Sequence, residues 1–153
     1  MNKIANLLTS DHRACDQFLA TAENAVSRKD WSLARSAFAD FQAVMLAHFA
    51  SEESILFPLF EQRTGIMRGP THVMRSEHVQ MRQLLAAAGA ALAADDVDEY
   101  SGHIETLLIM MQQHNVKEEN VLYPMCDQQL ADTADELIAE LATQLGKAAK
   151  VVP

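Results

Sequence analysis

One pattern occurs twice in this chain. His48-x3-Glu52-Glu53-x3-Phe57-Pro58 recurs 66 residues later as His114-x3-Glu118-Glu119-x3-Tyr123-Pro124. The duplication extends upstream, where Ser10-Asp11-His12 recurs as Ser76-Glu77-His78 at the same offset. The gap from His12 to His48 therefore equals the gap from His78 to His114. A shared offset across three His/Glu elements means two helix–loop–helix halves, each supplying one histidine and then a His-x3-Glu pair. On an α-helix, residues four apart lie on one face about one turn apart. Imidazole nitrogen and carboxylate oxygen on such a face are ligands that iron, manganese or zinc share.

The stretches around these residues read as amphipathic helices. In the first half, Ala5, Leu8, His12, Cys15, Leu19, Ala22 and Val26 form one inward line of a helix expected over about 2–27. Arg28-Lys29-Asp30 breaks it, with Asp30 a candidate N-cap for the next helix. That helix presents Phe38, Phe41, Met45, His48, Glu52, Ile55 and Leu59, so His48 and Glu52 interrupt an apolar stripe. A loop punctuated by Gly65 and Gly69 follows, and Pro70 suits the first turn of a third helix. Its inward face is Thr71, Met74, His78, Met81, Leu85, Ala88 and Leu92. Asp95-Asp96 ends it and offers a cap for a fourth helix, which repeats the second helix's face at a shift of 66: Ile104, Leu107, Met111, His114, Glu118, Val121 and Met125.

Pro58 and Pro124 are each expected to kink or stop a helix. A shorter fifth helix is expected after Asp132, ending near Gly146. Short connections make neighbouring helices antiparallel. The expected fold is all-α: an up-down-up-down four-helix bundle with an internal two-fold repeat and a short C-terminal helix. One domain over 1–146 and a frayed tail over 147–153 complete the plan.

Composition narrows the function. A net charge of −9 argues against nucleic acid or an anionic membrane as partner. No run of about 18 apolar residues marks a membrane span, and the amino terminus reads as no secretory signal. Cys15 and Cys126 have neither disulfide-framework nor zinc-finger spacing. Reduced thiols in a cytoplasmic protein are the expectation.

Four inward histidines and two inward glutamates in one layer of a bundle need a compensating charge, because buried carboxylates without partners are costly. The alternative, a hydrogen-bonded polar network alone, is costly unless every member is satisfied. The repeat distributes the six donors over two ions. His12 and His48 bind one, His78 and His114 the other, and Glu52 and Glu118 bridge them. Mixed imidazole and carboxylate ligation fits two iron ions best, with manganese or zinc as alternatives.

With these residues in view, the chain resembles the hemerythrin-like (HHE cation-binding) proteins over about Ile4 to Asp127. The resemblance rests on Asp11-His12-Arg13, His48-x3-Glu52-Glu53-x3-Phe57-Pro58, Gly69-Pro70-x2-Val73-Met74-x2-Glu77-His78 and His114-x3-Glu118-x4-Tyr123-Pro124. The third stretch is similar to bacterial di-iron proteins that repair iron–sulfur centres. The resemblance implies that His12, His48, Glu52, His78, His114 and Glu118 are di-iron ligands. Oxygen-carrying hemerythrins place another histidine one turn before the third-helix one, where this chain has Met74. That departure points away from reversible oxygen carriage and toward a more open site. Repair-type proteins add a histidine after the first helix, and residues 28–32 contain none.

The implied function is a non-haem di-iron protein that binds or reacts with O2, NO or peroxide in stress response or iron sensing. Rival readings are an iron carrier or donor without oxygen chemistry, a redox enzyme such as an NO reductase or ferroxidase, and a structural bundle with adventitious zinc. A homodimer through an exposed face of the last helix is a further expectation. Among neighbouring residues, Glu53 and Glu119 are expected to orient histidines from outside, with Glu53 the better candidate for direct ligation. Asp11 and Glu77 can accept an imidazole N–H or lie at the surface. Cys15 reads as core packing or as a thiol beside the metals, and Cys126 has no assigned role. His72 and His103 fall outside the centre. Phe57 and Tyr123 are expected to pack the bundle end, with a redox tyrosine as the alternative reading of Tyr123.

Overall fold

Two aspartates start the repeated helices. In a computed structural model that describes residues 2–149, the Asp30 side chain accepts from the Leu33 N–H at 3.2 Å and Asp96 from the Glu99 N–H at 3.1 Å. Each satisfies a donor that the first turn leaves free. Helix α1 is Lys3–Ser27. Helix α2 comprises α-helical Trp31–Ser51, a π-helical turn at Glu52–Leu56, and α-helical Phe57–Thr64. Helix α3 is Pro70–Ala93. Helix α4 repeats the plan of α2, with Val97–Lys117, a π-helical turn at Glu118–Leu122, and Tyr123–Gln129. After a 3-10 turn at Ala131–Thr133, α5 spans Ala134–Ala149.

The closest helix pairs are α1 with α2 and α3 with α4, the two hairpins of the repeat. The described residues form the expected all-α bundle and contain no strand. Helix α5 lies against α1 and α2, and its Leu137 and Leu141 are buried within the chain. The helix continues through Ala149, past the end expected at Gly146. From residue 150 onward, the expected tail lies outside the described residues.

The prolines do not stop their helices. A proline in an α-helix clashes with the carbonyl four residues back and removes one hydrogen bond. Here the turn before each proline is widened instead. The Phe57 N–H bonds the Glu52 carbonyl, and the Tyr123 N–H bonds the Glu118 carbonyl, both across five residues. The extra residue rotates everything downstream. Leu56, Phe57 and Phe60 are buried where Ile55 and Leu59 were expected, and Leu122, Tyr123 and Cys126 where Val121 and Met125 were expected. Val121 is 52% exposed. In α1, Ile4 and Ala25 are buried where Ala5 and Val26 were expected. The α3 face is buried at all seven expected positions.

Helix ends are tied across the bundle. The Asp127 carboxylate in α4 accepts from the Ile4 and Ala5 N–H groups at 2.9 and 3.1 Å, capping α1 from another helix. Gly65 ends α2 with φ of 75°, a left-handed conformation that glycine adopts without strain, and its N–H returns to the Glu61 carbonyl. Across the loop, buried Glu61 accepts from the Thr71 hydroxyl at 2.7 Å and from Arg75 at 3.0 Å. Burial opposes ionisation of Glu61, but the Arg75 and Thr71 hydrogen bonds outweigh it and hold the carboxyl below its usual value.

Glu61→Ala is expected to cost about 1–3 kcal/mol, mostly by leaving Thr71 unpaired. Arg75 is 36% exposed, so solvent screens its share. A depressed carboxyl stabilises the fold above its unfolded pKa, about 4.3, and loses that contribution as pH falls through the folded value. Urea unfolding at neutral and acidic pH should show the wild-type advantage shrinking in acid. An advantage unchanged by pH would rule out the ionised carboxylate as its source.

Two apolar clusters fill the bundle. One, built on Phe38, Phe41, Met45, Phe49, Met81, Leu85 and Leu107, occupies one end. The other, built on Ile4, Leu8, Leu56, Phe57, Phe60, Met74 and Leu122, occupies the opposite end with α5. Buried histidines and glutamates lie in the sequence between them, one layer deep. Helix α2 also passes a length-and-composition test for crossing a bilayer, with mean hydropathy 1.2 over 18 residues, half of them buried in the bundle. A core helix meets that test as readily as a span does.

Candidate metal centre

All six sequence-designated residues converge. His12, His48, Glu52, His78, His114 and Glu118 are each no more than 5% exposed. Two groups of donor atoms form, each within 4.8 Å: Glu52, His78, His114 and Glu118 in one, His12, His48 and Glu118 in the other. Glu118 belongs to both. Its Oε1 lies 3.1 Å from His12 Nε2 and 3.2 Å from His114 Nε2. Glu52 Oε1 lies 3.4 Å from His48 Nε2 and 3.2 Å from His78 Nε2. Each glutamate thus sits between a histidine of one half and a histidine of the other.

The other ring nitrogen of every histidine faces a carboxylate. His48 Nδ1 donates to Asp11 at 2.7 Å and His114 Nδ1 to Glu77 at 2.8 Å, both within one half. His78 Nδ1 donates to Glu53 at 2.6 Å and His12 Nδ1 to Glu119 at 2.8 Å, both across halves. A carboxylate only accepts, so each Nδ1 carries a proton and each Nε2 is left facing the glutamate oxygens. Glu52 Oε1, His78 Nε2, His114 Nε2 and Glu118 Oε2 are buried with no hydrogen-bond partner. Each such atom costs about 1–3 kcal/mol, and a cation among them removes that cost. The donor set fits a metal.

A family model for the hemerythrin HHE cation-binding domain matches residues 3–126. The chain belongs to that family. No curated protein and no solved structure shows a significant match to it. This hemerythrin-domain chain is a metal-binding protein, with its His/Glu cluster at the place where its helices meet.

Electrostatics in the metal-free layer follow from the same contacts. Burial pushes the His48 pKa down, but the Glu52 charge and the Asp11 hydrogen bond raise it well above the usual value. His78 and His114 are raised likewise, against burial, by bonds to Glu52 and Glu53 and to Glu118. Glu52 is held well below its usual value, its burial outweighed by His48 and by hydrogen bonds to the histidines. Protons thus satisfy the layer when metal does not, and metal binding releases them.

The outer carboxylates differ between the two sides. Against burial, hydrogen bonds from His78 and Arg82 lower Glu53 to about 2, and Arg82 grips it at 2.7 and 2.8 Å. Lys117 bonds Glu77. The positions 66 residues away from these cations are Asp16 and Ser51. Phe49 stacks on His78 at 4.2 Å between ring centroids, whereas its counterpart 66 residues on is Asn115.

Tyr123, for which core packing is the favoured expectation and a redox role the alternative, lies against the donor atoms. Its hydroxyl donates to Glu52 Oε2 at 2.7 Å and lies 3.0 Å from Glu118 Oε1, 3.2 Å from His12 Nε2 and 3.3 Å from His48 Nε2. Burial and the Glu118 and Glu52 charges raise its pKa well above the usual value. Helical counting at 100° per residue turns Tyr123 away from Glu118, and the π turn brings it back. The available signal was the proline immediately after it. Cys15 and Cys126 are free and buried, and neither belongs to a donor group. His72 is exposed, and His103 pairs with Glu99 at 3.2 Å away from the centre.

Proposed function

We propose that the six convergent residues hold two non-haem iron ions, and that the centre binds or reacts with a small ligand: O2, NO or peroxide. The observation that carries this reading is the pair of donor groups sharing Glu118, with four buried donor atoms lacking any protein partner. His12, His48 and Glu118 would hold one ion, and His78, His114, Glu52 and Glu118 the other. Imidazole and carboxylate donors without thiolate suit iron, with manganese and zinc as alternatives. Bound iron supplies redox chemistry and coordination positions for a small ligand.

The protein's own contribution is orientation and exclusion. Four carboxylates fix the imidazoles with Nε2 inward, which raises their basicity as donors. Buried Leu8, Met45, Met74 and Met111 flank the layer with apolar surface, which favours small uncharged ligands. Met74 gives no imidazole to the His78 side, so that side has one histidine fewer than the oxygen-carrying hemerythrins place there. Two free buried thiols fit a reducing compartment, so we place the protein in the cytoplasm, in oxidative or nitrosative stress response or iron sensing.

Metal analysis of anaerobically purified protein, with visible spectra before and after air and after NO, tests this reading. Two irons per chain and new visible absorption on oxidation or NO addition are expected. One zinc per chain with a featureless spectrum would overturn it.

A further inference from the structure

Of the differences between the two sides of the polar layer, one places an additional oxygen against the donor atoms themselves. Phe57 and Tyr123 occupy corresponding positions, each one residue past its π turn and each fully buried. Only the second carries a hydroxyl. That hydroxyl does not sit midway. It lies within 3.3 Å of both His12 Nε2 and His48 Nε2, and within 3.0 Å of one oxygen each of Glu52 and Glu118. Phe57, its counterpart, instead places a plain ring 5.8 Å from the His78 ring.

The unpartnered atoms divide in the complementary way. Both orphaned nitrogens, His78 Nε2 and His114 Nε2, are on the side without the phenol. His12 Nε2 and His48 Nε2 each have the Tyr123 oxygen within hydrogen-bond distance. One side is thus a preformed set of open donors, while the other is closed by a phenol.

We propose that the Tyr123 oxygen is a seventh metal ligand, belonging to the ion at His12 and His48, and that the His78–His114 position fills first. An oxygen already touching both imidazole nitrogens and both glutamates needs little movement to join the same coordination sphere. Binding breaks the phenolic O–H bond and forms an O–Fe bond. The proton leaves to solvent, and iron keeps its oxidation state. The His78–His114 position has no phenolic proton to displace, because Phe57 stands there where Tyr123 stands on the other side. A phenolate donor is hard and anionic and favours ferric iron, so the two ions differ in chemistry although the repeat makes their histidines equivalent. The inference rests on the two-ion reading above.

The test uses the full chain, freed of metal by anaerobic chelation and reloaded with ferrous iron in steps, each sample then oxidised in air. A phenolate bound to ferric iron gives a visible charge-transfer band, and excitation into that band enhances tyrosine ring vibrations in the Raman spectrum. Wild-type protein is expected to bind two irons, with the band growing in over the second equivalent. Tyr123→Phe should remain helical and lack the band. One of its two irons should bind at least about 10-fold more weakly in competition with a chelator, the lower end of the affinity loss typical for even an outer partner. Phe57→Tyr, the converse change, leaves the wild-type band in place.

Two bound irons without a tyrosine-enhanced band would overturn the ligand assignment and reduce Tyr123 to a hydrogen-bond donor. A band surviving in Tyr123→Phe would do the same. A band complete at the first equivalent would overturn the filling order. Wild-type protein that binds fewer than two irons would overturn the two-ion reading itself, and this inference with it.

Discussion

In the proposed two-ion centre, Glu118→Gln is expected to empty both positions while leaving the helices formed. Glu118 is the one residue shared by the two donor groups, with Oε1 within 3.2 Å of a histidine from each half. An amide keeps the shape but removes the charge and half the acceptor capacity. Altering an outer partner alone typically costs 10–100-fold in affinity, so losing this shared carboxylate should cost at least about 100-fold at each position. Metal content after dialysis and far-UV circular dichroism measure the two effects separately. Retention of two ions by Glu118→Gln would remove the shared carboxylate from the model, and loss of a single ion would confine Glu118 to one position.

Phe41→Ala should give the opposite result, a destabilised bundle that still binds metal. Phe41 is fully buried in the apolar cluster at one end, edge-on to Phe38 at 6.0 Å between centroids. It precedes His48 by seven residues, about two turns or 10 Å along the helix, so its removal leaves the donors in place. Burying and then deleting such a ring costs about 3–5 kcal/mol. That is a large part of the 5–15 kcal/mol by which domains are typically stable. Urea unfolding of metal-free protein reads the loss, and metal stoichiometry should not change. A loss below about 1 kcal/mol would mean that the cluster collapses around the gap.

The two substitutions divide the molecule as the sequence does. Apolar periodicity and caps specify the bundle, and Asp30, Asp96 and the α3 face stand where the spacing puts them. The convergence of six donors was legible because the repeat gave each residue an equivalent at a fixed offset. Beyond Glu52 and Glu118 the reading slipped by one residue, burying Ile55 and Val121 in place of Leu56 and Leu122. The cause is local. Helical counting assumes 3.6 residues per turn, and the π turns before Pro58 and Pro124 break that count. The same slip hid the Tyr123 hydroxyl. The outer carboxylates were half legible: Asp11 and Glu77 do orient histidines, but those of the following helix rather than their own neighbours. The cap that Asp127 gives α1 joins residues more than 120 apart and has no local sequence signal.

The partition of donors between the hairpins bears on how the molecule is assembled. Neither donor group is complete within one hairpin: His12 and His48 rely on Glu118 from the other half, and His78 and His114 are joined by Glu52. His12 and His78 are each steadied by a carboxylate from the opposite hairpin as well. A chain with both hairpins formed but undocked has histidines and glutamates in plenty, yet no finished cage. A complete donor set therefore requires the two hairpins to be docked on each other. Metal retention thus becomes a readout of hairpin docking, separate from the helicity that each hairpin contributes.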